Sequence, residues 1–162
     1  HECGVSRATI YRHFSGGRDQ IIAEMVKSEV DDFLDAVAAA VGDIDQLDEL
    51  LVMGLMAARR LVANHRLLQR TLTIEPEIVL PYLTVATEQM RQLIGAFLGP
   101  YLDRDETLAA TDDPDLGDYL ARMFLSYLSA AGSWDLQDIA QVRELVATQF
   151  LGRAATVPME QL

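Results

Sequence analysis

The sequence predicts an all-α protein. Apolar residues recur at intervals of three and four along most of the 162 residues, which is the period of a helix with one buried face. No sustained alternation of apolar and polar residues occurs, and neither an Asn-Gly nor an Asp-Gly hairpin turn is present. With half of the residues hydrophobic, the chain is rich enough in apolar side chains to form a sizeable core.

The first long helix is predicted from Arg18 to about Val41. Its apolar positions advance by threes and fours between acidic and polar residues, as an amphipathic helix requires. Gly42 is expected to end it, because glycine readily adopts positive φ. The apolar positions are Ile21, Ile22, Met25, Val26, Val30, Phe33, Leu34, Val37 and Val41.

Five further helices follow from the same period. Pro76 is expected to stop the second of these and Pro81 to add another break, because proline cannot continue the hydrogen-bond ladder. The polar stretch from Asp103 to Pro114 is expected to be a solvated loop. The predicted helices run from about Asp45 to Ala63, from Arg66 to about Ile74, from Leu83 to about Leu102, from Leu116 to Ala131 and from about Leu136 to Gly152.

The charges are unevenly distributed. A total of 13 Lys and Arg against 25 Asp and Glu gives a net charge of −12, which as an average argues against a nucleic-acid partner. Residues 1–18, however, carry three arginines and one glutamate and so have a net charge of +2, leaving −14 on residues 19–162. Because salt screens charges over about 8–10 Å, an acidic body can coexist with a DNA-binding face. The negative charge of this body disfavours an anionic effector that would be held by surface charge.

Several classes of protein are not indicated. Cys3 is the single cysteine, so an internal disulfide is excluded and a reducing, cytoplasmic location is expected. The longest apolar stretches fall short of the ~20 residues that cross a bilayer. No phosphate-binding loop, dinucleotide-binding glycine pattern, HExxH or nucleophile elbow occurs, so we expect neither an enzyme nor a cofactor. Asp31 and Asp35 share a helix face, but a solvated face is the expectation there rather than a metal or acid–base site.

The most specific pattern lies near the beginning of the sequence. Residues 3–6 are typical of a tight turn, in which Gly4 closes one helix and Ser6 caps the next. The next residues, Arg7 to Phe14, predict a short helix with Ile10 and Phe14 facing inward and basic and hydroxyl side chains outside. A helix–turn–helix places such a helix in the DNA major groove. A capped helical turn without that function is the alternative.

This segment resembles the TetR family of bacterial transcriptional regulators. The resemblance is carried by residues 4–14, Gly-Val-Ser-Arg-Ala-Thr-Ile-Tyr-Arg-His-Phe, and by residues 15–22, Ser-Gly-Gly-Arg-Asp-Gln-Ile-Ile; a weaker likeness covers residues 75–83. It implies a recognition helix followed by a linking helix. The first helix and most of the second of the family's DNA-binding domain are missing, and since the chain opens with His1 rather than Met, we expect residues to precede it.

The resemblance also implies roles for individual residues. Ser6 and Arg7 would lie at the turn into the recognition helix, Thr9 would face bases or phosphate, and Tyr11 and His13 would contact the DNA backbone. Ala8 would permit close approach to the DNA, Arg12 would lie on the outer face, and Arg18 would sit at the start of the linking helix, where a phosphate is favoured. The DNA-binding residues expected are thus Ser6, Arg7, Ala8, Thr9, Tyr11, Arg12, His13 and Arg18.

The rest of the chain is expected to bind an effector and to dimerise, with residues 1–41 forming the DNA-binding part and the linking helix and residues 42–162 the second domain. Adaptable apolar side chains suggest a pocket, although each would serve equally in an ordinary core. The pocket residues expected are Met53, Met56, Leu83, Met90, Phe97 and Phe124. The family's last two long helices pair with those of a second copy, which implies an interface of Tyr119, Met123, Tyr127, Val142, Val146 and Phe150; an intrachain core is the alternative.

The predicted function is a ligand-responsive regulator, a repressor released from a pseudo-palindromic operator on double-stranded DNA by a small-molecule effector. The alternative is a helical dimer that carries a small molecule and has no operator. His65, next to a turn, is expected to be a solvated loop histidine rather than a ligand contact. The sequence identifies neither the effector nor the operator.

Overall fold

The computed structural model of the protein describes residues 16–65, 76–111 and 113–152. Within them every regular element is helical and no strand occurs, which confirms the all-α class for this part of the chain. None of these helices is long and apolar enough to cross a membrane. The α-helices are α1 (Gly17–Val41), α2 (Leu47–Asn64), α3 (Pro76–Arg104), α4 (Glu106–Ala109), α5 (Leu116–Ser129) and α6 (Ile139–Leu145), which continues as a π-helical segment, Val146–Leu151.

The first helix matches its prediction closely. It begins at Gly17 and ends at Val41, and Gly42 follows with a φ of 54° while its N–H donates to the carbonyl of Ala38. Glycine at this position ends the helix because a side chain would be strained at positive φ.

The break predicted at Pro81 in α3 is wrong. The helix runs for 29 residues through Pro81 and through Gly99-Pro100. Each proline removes one hydrogen bond to the carbonyl four residues earlier, but Pro81 lies close to the helix start, and the long packed helix has enough remaining bonds to continue. Pro76 is the first residue of α3, where the missing N–H costs nothing.

The connection between α3 and α5 is more ordered than expected. The carboxylate of Asp105 accepts hydrogen bonds from the backbone N–H groups of Thr107 and Leu108 at 3.0 and 3.1 Å, so it caps the short helix α4. Leu108 is buried and belongs to the apolar core. The expected solvated loop therefore contains a helical turn that anchors it to the body.

The last helix starts later than expected. Asp138 precedes α6 and accepts a hydrogen bond from the N–H of Ala140 at 2.9 Å, while Leu136, its predicted first residue, lies in the preceding turn and is buried. The core lies around α2, which packs against α1, α3, α5, α6 and the π-helical segment. Its most deeply buried large side chains include Leu55, Leu120, Val142, Leu145 and Phe150.

Candidate ligand-binding cavity

A cavity of about 520 Å³ lies among α1, α2, α3 and α5. Sites for small molecules are commonly about 300–1,000 Å³ and mostly apolar. The lining residues are predominantly hydrophobic: Phe33, Leu34, Val37, Ala38 and Val41 of α1, Leu50, Leu51 and Gly54 of α2, Leu93, Ile94, Phe97 and Leu98 of α3, Phe124 of α5, and the two carboxylates Asp31 and Asp35.

The floor and the mouth of the cavity differ in exposure. On the floor, Val41, Leu51 and Leu98 are at most 5% exposed. At the mouth, Leu93 and Phe97 are 48% and 44% exposed. Large apolar side chains left open beside a cavity are typical of binding sites rather than of finished cores. The cavity therefore offers a buried apolar floor and an open apolar entrance.

The charge at this mouth is negative. Asp31 and Asp35 lie one helical turn apart on α1, and both are exposed while lining the cavity. The described lining residues include no lysine, arginine or histidine. The expectation of a plain solvated face for this pair is thus refined, since the two carboxylates border a cavity. Among the residues that the structure describes, no group of acidic, His and Cys side chains could hold a metal.

Helix α1 forms one wall of the cavity. Seven of the lining residues, from Asp31 to Val41, belong to the last three turns of this helix. The sequence identified most of these apolar residues as a buried face of the helix but assigned none of them to the pocket, because methionine and aromatic side chains on other helices suggested adaptability. The signal that was available is the combination of apolar and acidic residues on one face of α1.

The structure brings two of the predicted pocket residues together. Phe97 of α3 and Phe124 of α5 both line the cavity. Met53 and Met56 are partly buried and pack against the apolar core, and Met90 is partly buried on α3. Leu83 lies on α3, but its side chain is outside the described part of the chain.

The predicted DNA-binding residues are not tested by the structure. Ser6, Arg7, Ala8, Thr9, Tyr11, Arg12 and His13 lie outside the described residues, and of Arg18 only the position in the first turn of α1 is described. These residues remain predictions from the sequence.

The predicted interface residues divide into two groups. Val142, Val146 and Phe150 are at most 1% exposed, so the core of their own chain accounts for them. Tyr119, Met123 and Tyr127 are partly exposed and pack against that core. The hydroxyl of Tyr119 donates to the carbonyl of Gln149 at 3.0 Å, and the ring of Tyr127 stacks on Phe150 with centroids 5.7 Å apart. These contacts join α5 to the π-helical segment within one chain.

His65 is partly exposed, as a loop histidine would be, and it also makes a specific contact with a second helix. His65 caps the C-terminus of α2, and its Nε2 lies 2.8 Å from a carboxylate oxygen of Glu29 on α1. The partner is 36 residues away in sequence, so only the packing of α1 against α2 brings them together.

An ion-pair network connects α3 with α5. Arg91 pairs with Glu88 on its own helix and with Asp118 on α5, and Nε of Arg122 donates to Asp118 at 2.6 Å. Hydrogen bonds from Arg91 and then from Gln92 lower the pKa of Glu88 to about 2, because both donors favour the charged carboxylate.

No family model, curated protein or solved structure matches the chain.

Proposed function

We propose that the protein is a ligand-responsive DNA-binding transcriptional regulator, a homodimeric repressor that a small-molecule effector releases from its operator. The proposal joins two parts of the chain. Residues 4–14 resemble a TetR-family recognition helix, and the body contains an apolar cavity of the size of a small-molecule site.

The observation that carries the proposal is that α1 is both the continuation of the helix–turn–helix-like segment and a wall of the cavity. The segment ends at Phe14, and α1 begins at Gly17. At 1.5 Å per residue, the 25 residues of α1 extend over about 37 Å. A ligand against Asp31 to Val41 therefore contacts the same rigid element that leads to the recognition segment.

A small rearrangement at the cavity is sufficient for regulation. A tilt of α1 by about 5° at the cavity displaces its other end by about 3 Å. In a homodimer that reads two half-sites about one DNA turn apart, such a displacement alters the spacing of the two recognition helices. For release to follow, the ligand must bind the DNA-free arrangement more tightly than the DNA-bound one.

The homodimer belongs to the proposal because a pseudo-palindromic operator requires two symmetry-related copies. Since Val142, Val146 and Phe150 are buried within the chain, the second copy would contact outward-facing residues of α5 and α6, including the partly exposed Tyr119 and Met123. Sedimentation equilibrium measures the oligomeric state directly. A monomer at the protein concentrations that bind DNA would contradict the proposed homodimer.

DNA binding is tested by titrating the protein into its own upstream DNA and into a duplex of scrambled sequence at several salt concentrations. A regulator gives saturable binding that weakens with salt and survives competitor DNA. Tyr11→Phe is expected to weaken binding to all sequences by about 1 kcal/mol, the scale of one hydrogen bond. The matched control is Tyr101→Phe, which removes the same hydroxyl from α3, far along the chain from the segment.

The outcomes separate the two functions considered. Unchanged affinity in Tyr11→Phe would remove the phosphate-contact role of Tyr11. No saturable DNA binding at low salt, together with ligand binding in the cavity, would instead support a helical small-molecule carrier.

A further inference from the structure

We infer that the cavity selects an organic cation, a molecule with an apolar body and one positive charge near its end. The inference rests on the proposed function only in taking this cavity as the effector site. It names the chemical class of the effector, which the sequence leaves open.

The buried floor of the cavity favours a ligand with an apolar body. Leu50, Leu51 and Leu98 are at most 3% exposed, and the ring of Phe124 closes the floor from α5. A polar group placed there would lose its water without gaining a hydrogen-bond partner from these side chains, which is unfavourable. An apolar group there gains from burial.

The two carboxylates at the mouth of the cavity favour a ligand with a positive charge. Asp31 and Asp35 are adjacent on the surface of α1, and like charges at this spacing repel each other. No side-chain cation among the described lining residues offsets them. A ligand cation at the mouth lies near both carboxylates and relieves this repulsion, whereas an anion there increases it.

An aromatic ring stands at the same mouth. Phe97 is 44% exposed and lines the same cavity as the two carboxylates, from α3. Aromatic faces attract cations through the ring quadrupole. A delocalised or alkylated ammonium or phosphonium ion is favoured over a compact ion such as Na⁺, because it loses little hydration on entering a half-open apolar mouth.

The test uses two probes of nearly equal size and shape but opposite charge, tetraphenylphosphonium and tetraphenylborate. Their affinities for the protein are measured by isothermal titration calorimetry at low and at raised salt. We expect tetraphenylphosphonium to bind about tenfold more tightly, with the preference shrinking as salt screens the exposed carboxylates.

Site-specific variants separate the mouth from the overall charge of −12, which attracts any cation. Asp31→Asn combined with Asp35→Asn is expected to abolish the preference for the cation. The matched control is Asp32→Asn, which removes an exposed carboxylate from the same helix outside the lining and should leave the preference largely intact. Thermal melts check that each variant is folded.

Equal or tighter binding of tetraphenylborate, binding of neither probe, or an undiminished cation preference in the double variant would overturn the inference. These outcomes are independent of the DNA titrations described above. If tetraphenylphosphonium binds as expected but leaves operator affinity unchanged, the cation site stands and ligand control of DNA binding fails.

Discussion

The carboxylate of Glu29 on α1 and the imidazole of His65 at the end of α2 lie 2.8 Å apart. The contact ties α1, the helix that would transmit a ligand signal, to the body of the protein. Glu29 lies two residues before the first cavity residue, Asp31. The Glu29 and His65 side chains are 47% and 34% exposed, so the contact belongs to the weak, solvent-accessible class.

Removing this contact should loosen α1 without unfolding the body. Glu29→Ala is expected to lower the free energy of unfolding by at most about 1 kcal/mol and to speed amide hydrogen exchange around residue 29. The control is Glu24→Ala, an exposed position on the same helix. Equal exchange rates in the two variants would show that the contact does not restrain α1.

The packing of α3 on α5 depends on two glycines. A Cβ added to Gly117 would lie 3.3 Å from the carbonyl oxygen of Gly95, which is tighter than an ordinary contact. We expect Gly117→Leu to lower the free energy of unfolding by about 1–3 kcal/mol, the cost of overpacking. Gly54→Ala, where the added Cβ makes only ordinary contacts of 3.6 Å or more, should not lower it, because alanine favours the helix. Urea denaturation measures both, and destabilisation of equal size would contradict the assigned close approach.

The buried ring of Phe150 should support the fold of each chain. Because none of the Phe150 surface is exposed (0%), Phe150→Ala is expected to lower the free energy of unfolding by about 3–5 kcal/mol. Phe150→Leu should lower it by less. Unfolding is followed at several protein concentrations alongside sedimentation. A variant that dissociates into monomers of unchanged stability would instead assign the ring to a dimer interface.

The cavity wall at Gly54 offers a way to fill the site. An added Cβ would meet Phe124 at 3.6 Å and Val41 at 3.7 Å, both ordinary contacts, so Gly54→Ala should be tolerated. Gly54→Leu extends further into the cavity and should weaken tetraphenylphosphonium binding about tenfold, or about 1.4 kcal/mol. Ala63→Leu, at an exposed position of α2, is the control. If Gly54→Leu binds tetraphenylphosphonium as tightly as the wild type does, the probe binds outside the cavity.

The ion pair between Glu88 and Arg91 predicts that the stability of the fold depends on pH. The pKa of Glu88 is lowered from 4.5 to about 2, so the folded state holds the proton less tightly than the unfolded chain. The resulting stability is present above pH 4.5 and is lost as the pH falls towards 2. Glu88→Gln should therefore show a shallower loss of stability across this interval than the wild type. Glu106→Gln, also exposed, serves as the control, and parallel curves for Glu88→Gln and wild type would contradict the pairing.

Local sequence signals predicted much of the helix pattern. The amphipathic period of residues 18–41 and the glycine after it defined α1 almost to the residue, because both act within a few residues along the chain. The break predicted at Pro81 was wrong, since the cost of one lost hydrogen bond was weighed without the packing of the whole helix. The candidate site was predicted less well, with Phe97 and Phe124 identified and the α1 wall missed.

The sequence by itself determined the helical class, the boundaries of α1, the separation of charge at residue 18 and the resemblance of residues 4–14 to a recognition helix. Only the tertiary structure decided that Asp31 and Asp35 border a cavity, that Glu29 meets His65, and that Val142 and Phe150 are buried within one chain. An apolar stripe looks the same in sequence whether it covers a core, lines a cavity or meets a second copy. The difference arises only when helices distant in sequence pack together and leave some of that surface filled and some open.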